Sequence, residues 1–259
     1  MDLGIREKKA IVCASSRGIG KGCALALAEA GCEIVINGRD KKVLEATAEE
    51  IAGKTGASVT PVPADVSTPE GQAALLKACP EPDILVNNNG GPPFRDFREL
   101  DRTAMIEGVT MNMITPIELI QAVVDPMCAR GFGRIVNITS LSVKMPIAGL
   151  DLSSAARAGL TAFLAGVART VAHHNVTING LLPGMIDTDR LRSGMPRFAK
   201  LQNKTVEQVA AERAAEIPAG RFGTAEEMGQ MCAFLCSARA GYITGQNILV
   251  DGGRYNSSI

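Results

Sequence analysis

The sequence predicts an α/β protein whose single parallel β-sheet is covered by helices on both faces. Short apolar runs alternate with longer segments of helical period along the whole chain. Most of these runs are apolar at every position instead of at every second one, which is typical of strands buried on both faces of a parallel sheet. Since 259 residues are few for two ordinary domains, we expect residues 1–259 to form one domain.

Seven apolar runs predict seven strands. They are rich in Val, Ile and Leu, and turn-forming residues such as Gly, Pro, Asn and Asp bound them. In chain order the runs are KKAIVCA, EIVING, SVTPVPAD, PDILVNNN, GRIVNITS, NVTINGLLPG and QNILVDGG.

The segments between these runs have apolar residues at three-to-four spacing and predict helices. They lie near residues 18–30, 40–53, 68–79, 101–130, 151–174 and 224–237. A strand–helix repeat of this kind builds βαβ units, whose right-handed crossovers place helices on both faces of the sheet. The repeat therefore predicts a doubly wound, seven-stranded parallel sheet of the Rossmann type.

One long segment, residues 184–222, breaks this rhythm after the sixth predicted strand. It is polar and rich in charged and small residues. A long excursion at the carboxyl end of a strand commonly serves as a lid or a specificity element, so we expect residues 184–222 to form a substrate-side lid or loop. A surface insertion without a role in function is the alternative.

The composition excludes several classes of partner. Lys and Arg number 27 and Asp and Glu also number 27, so the formal net charge is zero, whereas proteins that bind nucleic acid or anionic membranes carry a basic excess. The chain has no Trp, and aromatic residues make up only 3%, so stacking on bases or sugars is not expected. A small molecule is the expected partner.

The seven cysteines predict free thiols in a reducing compartment. They contain no CxxC pair with the spacing of a zinc site, so no metal site is expected. Several lie within apolar patterns, where an unpaired thiol is buried as a small hydrophobe. The polar first residues do not resemble a signal peptide, and no apolar run approaches membrane-spanning length, so we expect a cytoplasmic location.

A glycine-containing loop predicts a dinucleotide site. The first predicted strand runs into A-S-S-R-G-I-G, residues 14–20, which opens the first helix. Gly18 and Gly20 would let the backbone approach a pyrophosphate, and the helix start would contribute free N–H groups and its positive dipole end. An ordinary tight turn is the alternative for the glycine pair taken alone.

Further motifs follow this loop in a fixed order. They are Asp65-Val66, Asn87-Asn88-Asn89-Gly90, Asn112 within MNMITP, Pro183-Gly184 followed by Thr188, and the closing segment ITGQNILVDGG. With these motifs the sequence resembles the short-chain dehydrogenase/reductase family, especially its members similar to 3-oxoacyl-acyl-carrier-protein reductases, from Lys9 to Gly253. Cys13 and Ala14 stand where the family has Thr-Gly, and Asn89 replaces an Ala.

The resemblance implies which residues hold the dinucleotide. The glycine loop would bind the phosphates, the Asp-Val pair the adenine, and the Pro-Gly motif the nicotinamide side. The implied cofactor-binding residues are Ser15, Ser16, Arg17, Gly18, Ile19, Gly20, Arg39, Asp65, Val66, Asn88, Gly90, Arg157, Pro183, Gly184, Ile186 and Thr188.

The end of the second predicted strand indicates NADP in preference to NAD. Enzymes that use NAD hold the ribose hydroxyls with an acidic residue there, which would repel a 2′-phosphate. This chain has Asn37-Gly38-Arg39 instead, and Arg17 lies inside the glycine loop. The forked donors of arginine suit a phosphate. Two solvated loop charges are the alternative.

The catalytic positions depart from the family pattern. The family uses a Tyr and, four residues later, a Lys, with a Ser and an Asn upstream. Asn112 matches the helix asparagine, and Ser140 ends the fifth predicted strand. Thirteen residues further on, in D-L-S-S-A-A-R-A-G-L, Ser153 and Arg157 occupy the positions of the Tyr and the Lys. We therefore predict Ser140, Ser153, Arg157 and Asn112 as the catalytic set.

This replacement changes what the site can do with a proton. A serine hydroxyl is a much weaker acid than a phenol, and arginine does not relay protons. Arg157 could still hold ribose hydroxyls, whereas Ser153 could bind a carbonyl or act as a helix cap. Lys144 and Asp151 are the ionisable residues best placed to substitute, unless they are solvated loop charges. The only tyrosines, Tyr242 and Tyr255, are distant from position 153 in sequence.

These features predict an NADP-dependent oxidoreductase with an altered proton donor. Its substrate would be a small carbonyl, imine or activated alkene. Two alternatives stay open: a nucleotide-binding scaffold without hydride transfer, and a non-redox lyase or hydrolase that reuses the pocket. The family resemblance also implies a homo-oligomer, a tetramer or a dimer, paired through helices at 101–130 and 151–174.

Overall fold

The computed structural model describes residues 1–257, and its seven strands form one parallel sheet as predicted. The strand order is β3-β2-β1-β4-β5-β6-β7. Successive strands are added on one side of β1 up to β3 and on its other side from β4 onward, so the switch point lies between β1 and β4. The strands are Lys9–Val12 (β1), Glu33–Gly38 (β2), Val59–Pro63 (β3), Ile84–Asn87 (β4), Gly133–Ile138 (β5), Val176–Pro183 (β6) and Asn247–Val250 (β7).

Nine α-helices surround this sheet in the described part of the chain. All six predicted helical segments are present, with ends shifted by a few residues. The helices are Gly18–Glu29 (α1), Lys41–Thr55 (α2), Pro69–Ala78 (α3), Arg102–Val109 (α4), Thr115–Arg130 (α5), Asp151–Val171 (α6), Asp189–Gln202 (α7), Val206–Ala215 (α8) and Ala225–Cys236 (α9).

The sheet separates two hydrophobic cores. Ala10 and Val12 of β1 face the core formed with α1, α2 and α9, whereas Ile11 faces the core formed with α3, α5 and α6. Within residues 1–257 no aromatic side chain belongs to the fully buried set, as the composition predicts. The cores are therefore built from aliphatic, Met and Cys side chains.

The predicted helix at 101–130 is interrupted by a π-helical turn, Thr110–Ile114, between α4 and α5. Pro116 has no N–H to donate to the carbonyl four residues earlier, and the N–H of Thr115 donates to Thr110 O across five residues. Such a turn re-aims the side chains that follow and is frequent at functional sites. Here it places Asn112 toward the carboxyl edge of the sheet.

The segment 184–222 contains two helices that the sequence analysis did not assign. Thr188 caps α7, and Thr205 forms a reciprocal capping box with Gln208 at the start of α8. Helix α7 packs on the loop after β4, where the rings of Phe94 and Phe198 meet edge to face at 6.2 Å. The segment is thus an ordered structure above the carboxyl edge.

The cysteines are unpaired, as the sequence predicts. All seven cysteines are free, and six of them are buried, with Cys128 partly exposed. Burial raises the pKa of Cys13 to about 12, so its thiol stays protonated at neutral pH. No helix within residues 1–257 is both long and apolar enough to cross a bilayer.

Candidate active site at the carboxyl edge of the sheet

The glycine loop after β1 has the backbone of an anion site. Ala14 and Gly18 have φ values of 43° and 53°, in the left-handed region that favours glycine. A Cβ on Gly20 would overlap the carbonyl oxygen of Ala14 and lie 2.7 Å from Nδ2 of Asn88. Arg17, at the start of α1, provides no side-chain cap, so the first N–H groups of this helix are available to a ligand.

Side chains from neighbouring strands hold the loop in this shape. Ser15 is fully buried and its hydroxyl donates to Val12 O at 2.6 Å, while the N–H of Asn37 donates back to the Ser15 oxygen at 3.1 Å. Asn88, after β4, donates to Ala14 O at 3.0 Å. The loop is therefore rigid before any ligand binds, which lowers the entropy lost on binding.

An open groove between α1 and α2 continues from this loop and is basic. Ser16, Arg17, Lys21 and Lys42 contribute to its lining. Lys21 is paired with Glu50 at 2.6 Å, whereas Arg17 is exposed and lies 3.9 Å from Asp189. Glu50 and Asp189 also line the groove, so Lys42 is the lining cation without an ion pair among the described residues, and the Arg17 pair is long and exposed.

The residues expected to contact adenine follow β3. Val66 is buried, and the Asp65 carboxylate accepts from both the hydroxyl and the N–H of Ser67. These hydrogen bonds, with a smaller contribution from the Arg39 cation, lower the pKa of Asp65, so it is ionised at neutral pH. Arg39 itself is exposed at the end of β2.

The segment that follows β6 closes the other side of the loop. Gly184 packs against Asp251, where a Cβ would lie 2.7 Å from the Asp251 Cα, and Ile186 is buried. Thr188 contacts the glycine loop, since its Cγ2 lies 3.2 Å from the position of a Cβ on Gly18. Thr188, at the end of the segment that begins at Pro183, therefore lies against the glycine loop.

Asn112 belongs to a small polar cavity. Its Nδ2 donates to Gly108 O at 3.3 Å, but its Oδ1 is buried without a partner, as are Oδ1 of Asn87 and Oγ1 of Thr115. These side chains and Arg157 line a cavity of about 20 Å³. A cavity of this size with several polar groups suits a single ordered water, which would satisfy the buried oxygens.

Arg157 organises the end of β5. Its Nη1 donates to the carbonyl oxygens of Ile138 at 2.8 Å and Thr139 at 2.9 Å, and its Nε donates to Oγ of Ser153 at 3.2 Å. Arg157 therefore holds the carbonyl groups of the two residues that precede Ser140. Ser140 accepts from the N–H of Ser142 at 3.1 Å, so its oxygen also satisfies backbone.

Arg157 is a buried charge without an acidic partner in the described part of the chain. It is 9% exposed. Burial, with a smaller contribution from the nearby Arg190 cation, lowers its pKa to about 10. The guanidinium is still protonated at neutral pH, so it acts as a fixed positive charge.

Lys144 and Asp151, the two ionisable residues considered as substitutes for the missing acid, are both exposed. The Lys144 ammonium lies 5.6 Å from the ring centroid of Tyr255. Tyr255 follows β7, which puts a phenol at the carboxyl edge of the sheet although it is distant in sequence. Tyr242 precedes β7 and is fully exposed.

Two contributions to the site were not predicted. Asn89 donates to Met111 O at 3.1 Å and so ties the loop after β4 to the π-helical turn. Arg190 of α7 donates to the carbonyl oxygens of Gly91 and Pro92 at 3.1 and 3.3 Å. These partners are far apart in sequence, and a single sequence carries no signal for them.

Comparison with known proteins places these features in context. Residues 13–255 match a family model described as enoyl-(acyl carrier protein) reductase. The NADPH-dependent reductase BacG of Bacillus subtilis is 33% identical over 256 residues, covering 97% of this chain and 99% of BacG. The 3-oxoacyl-[acyl-carrier-protein] reductase FabG of Escherichia coli is 32% identical, covering 96% and 97%.

Solved structures agree with the sequence relatives. L-sorbose reductase from Gluconobacter frateurii, complexed with NADPH and L-sorbose, has a TM-score of 0.94 at 30% identity and covers 99% of this chain and 100% of its own. YwfH, described as an NADPH-dependent reductase involved in bacilysin biosynthesis, has a TM-score of 0.91 at 33% identity, covering 97% and 99%.

Proposed function

The chain belongs to the short-chain dehydrogenase/reductase family, and from that premise we propose that it is an NADPH-dependent oxidoreductase with an altered proton donor. Its substrate is a small carbonyl compound, imine or activated alkene. The observation that carries this proposal is the shape of the glycine loop. The loop has no room for a Cβ at Gly20, and Thr188 of the Pro183–Thr188 segment lies against it. The loop fits a pyrophosphate and the facing segment a nicotinamide ring.

NADPH, when bound, supplies the hydride. The glycine loop and α1 hold its pyrophosphate, while Arg17, Lys42 and Arg39 are the cations available to its 2′-phosphate. Asp65 and Val66 bind adenine. Since no acid occupies the end of β2, where Asn37 and Gly38 lie, the 2′-phosphate meets no repulsion there.

Two serine hydroxyls, Ser140 and Ser153, are proposed to donate to a substrate oxygen. Ser140 accepts from the Ser142 N–H and Ser153 accepts from Arg157 Nε, so each hydroxyl keeps its own hydrogen for another acceptor. A carbonyl or enolate oxygen that gains negative charge would be stabilised by these donors and by the adjacent guanidinium. The site therefore stabilises an oxyanion without needing a strong side-chain acid.

The proton comes from water in this proposal. The cavity beside Asn112 has three unpartnered buried oxygens and is lined by Arg157, so an ordered water there would lie near the guanidinium that also binds Ser153. A substrate whose product anion is delocalised, such as an activated alkene, depends least on a strong acid. Helix α7, held on the loop after β4 by Arg190, is proposed as the lid that keeps bulk water out.

We expect the protein to bind NADPH at least ~10-fold more tightly than NADH, because one or two charge-assisted hydrogen bonds to the 2′-phosphate contribute that much. Titration followed by nucleotide fluorescence measures both constants. Arg17→Ala should lower the ratio, while Lys42 and Arg39 still favour NADPH. Arg239→Ala, an exposed arginine at the opposite edge of the sheet, is the control and should leave the ratio unchanged.

Turnover is tested by following NADPH oxidation at 340 nm with a panel of ketones, enones and imines. We expect NADPH to be oxidised faster with an enone or an imine than with a simple ketone. Tight NADPH binding without oxidation on any member of the panel would instead favour a nucleotide-binding scaffold. No nucleotide binding would favour a non-redox enzyme that reuses the pocket.

We also propose a homo-oligomer formed through the helices at 102–130 and 151–171, and a cytoplasmic location that suits seven free thiols. Exposed apolar side chains on these two helical segments support the interface: Met105, Ile106, Ile114 and Phe163 are 44%, 56%, 41% and 45% exposed.

Phe163→Glu should dissociate the oligomer, because a carboxylate would be buried without a partner at the interface. Light scattering coupled to size-exclusion chromatography should then give the mass of a monomer. Leu201→Glu, on an exposed apolar residue of α7 outside this surface, should leave the mass unchanged. A wild-type mass equal to one chain would contradict the proposal.

A further inference from the structure

Two arginine side chains from different helices converge beside Gly91, just after β4. A Cβ built on Gly91 would lie 3.0 Å from Nη2 of Arg190, 3.4 Å from Oγ of Ser153 and 3.5 Å from Nη2 of Arg157. Three polar atoms, two of them cationic donors, therefore surround one point at the carboxyl edge of the sheet.

Neither guanidinium has a carboxylate partner within residues 1–257. Arg157 donates to Ser153 and to carbonyl oxygens of the β5 end, and Arg190 donates to the carbonyl oxygens of Gly91 and its neighbour. The acid next to Arg190 in sequence, Asp189, is 80% exposed and lies 3.9 Å from Arg17 instead. The positive charge at this point is uncompensated.

The two cations differ in burial, since Arg157 is buried whereas Arg190 is exposed. Burial lowers the pKa of both Arg157 and Arg190, and the Arg190 cation adds to the effect on Arg157. Two like charges this close repel each other, and the buried Arg157 has also lost hydration. A bound anion would offset both contributions.

The unused donors indicate the shape of that anion. Nε and Nη1 of Arg157 already bind protein atoms, whereas its Nη2 has no protein acceptor within the described residues. Arg190 uses one hydrogen of each terminal nitrogen and keeps the others. Donors on two planar groups that face one small space match the two oxygens of a carboxylate.

We propose that the substrate carries a carboxylate, which Arg157 and Arg190 bind beside Ser153. The reducible group lies in the same molecule, close to the carboxylate, because Ser153 contacts both this point and the proposed oxyanion position. The substrate class is therefore an oxo acid or an unsaturated oxo acid. This inference rests on the proposed function, since it assigns the substrate of that site.

Matched acids and esters test the proposal. The ligands are pyruvate, 4-oxopentanoate and (E)-4-oxo-2-pentenoate, each beside its methyl ester, with methyl phosphate as a different anion. They are titrated by calorimetry into the full-length protein saturated with NADP+, so that binding is measured without turnover. At least one acid should bind ten-fold or more tightly than its ester. Arg190→Leu should abolish this preference, and Arg190→Lys should retain part of it.

Arg192→Leu is the matched control on the same helix. Arg192 is exposed and paired with Asp187 at 2.7 Å, so its removal should leave the acid preference intact. Equal binding of acids and esters, absence of binding by all of them, tighter binding of methyl phosphate, or a preference that survives Arg190→Leu would each overturn the carboxylate site. The proposal would also be overturned if Arg190→Leu lost NADP+ affinity but kept the acid preference, because Arg190 would then bind the cofactor.

The two proposals fail separately. A protein that binds NADPH and reduces an enone, but has no acid preference, contradicts only the carboxylate site. A protein that binds no dinucleotide contradicts the proposed function itself.

Discussion

Ser153→Tyr combined with Arg157→Lys should raise the reduction of an ordinary ketone by ~100-fold or more, the lower range of what a positioned general acid contributes. A phenol titrates near ~10 and an adjacent ammonium brings its pKa closer to neutrality, whereas a serine hydroxyl is far too weak an acid to protonate an alkoxide. Steady-state kcat/KM with NADPH and a simple ketone such as cyclohexanone measures the change. The wild-type protein should be nearly inactive on that substrate.

The matched control is Ser153→Phe with Arg157→Lys, which adds the same ring without the hydroxyl. It should bind NADPH as the Tyr variant does but gain no ketone reduction. If the Tyr variant binds NADPH and is no faster than the Phe variant, the missing acid is not what limits this site. Tyr255→Phe in the wild-type background tests the other phenol at this edge, and unchanged enone reduction is expected.

The sheet was predictable because each strand carries its own signal. β5 and β6 are buried at nearly every position, and strands covered on both faces are mostly apolar, although these two also bury Arg134 and Asn179. The loop residues at 14–20 were predictable for a similar reason, since the backbone geometry at Gly20 leaves no space for a side chain. Local sequence determines both features.

Features that depend on distant contacts were not predictable from one sequence. The helical pattern at 101–130 continues through the π-helical turn, because the turn changes hydrogen bonding and not polarity. Helices α7 and α8 lie in a polar segment that resembles a loop in composition, and their caps are Thr188, which the family resemblance assigns to the cofactor, and Thr205. The place of Arg190 in the site depends on its contacts with Gly91 and its proximity to Arg157, which lie on other elements of the fold.

Arg157 was predictable in position but not in its contacts. Arg157 was identified by its spacing from Ser140, but its role as a clamp on the β5 carbonyls appeared only in three dimensions. A lysine at this position has three donors on one nitrogen and could not reach two carbonyls and Ser153 with the same geometry. The replacement of both catalytic positions is therefore proposed to be coupled.

Gly20→Ala should weaken NADPH binding by about 100-fold. The added Cβ would overlap the Ala14 carbonyl oxygen and lie 2.7 and 2.9 Å from Nδ2 of Asn88 and Cα of Ser15, so the loop backbone must move. Loss of one or two charge-assisted hydrogen bonds to the pyrophosphate accounts for a change of this size. The strain should also lower the free energy of unfolding by ~1–3 kcal/mol. Fluorescence titration and urea denaturation measure the two effects.

Gly53→Ala separates the loop effect from a general glycine effect. Gly53 is exposed in α2 and a Cβ there would have no atom within 4 Å, so the variant should gain ~0.5–1 kcal/mol in the free energy of unfolding and bind NADPH normally. Normal NADPH affinity in a folded Gly20→Ala protein would mean that the pyrophosphate does not lie against this loop. Because every proposed role, from the serine donors to the two arginines, is placed relative to a dinucleotide on that loop, this measurement tests the position on which all of them depend.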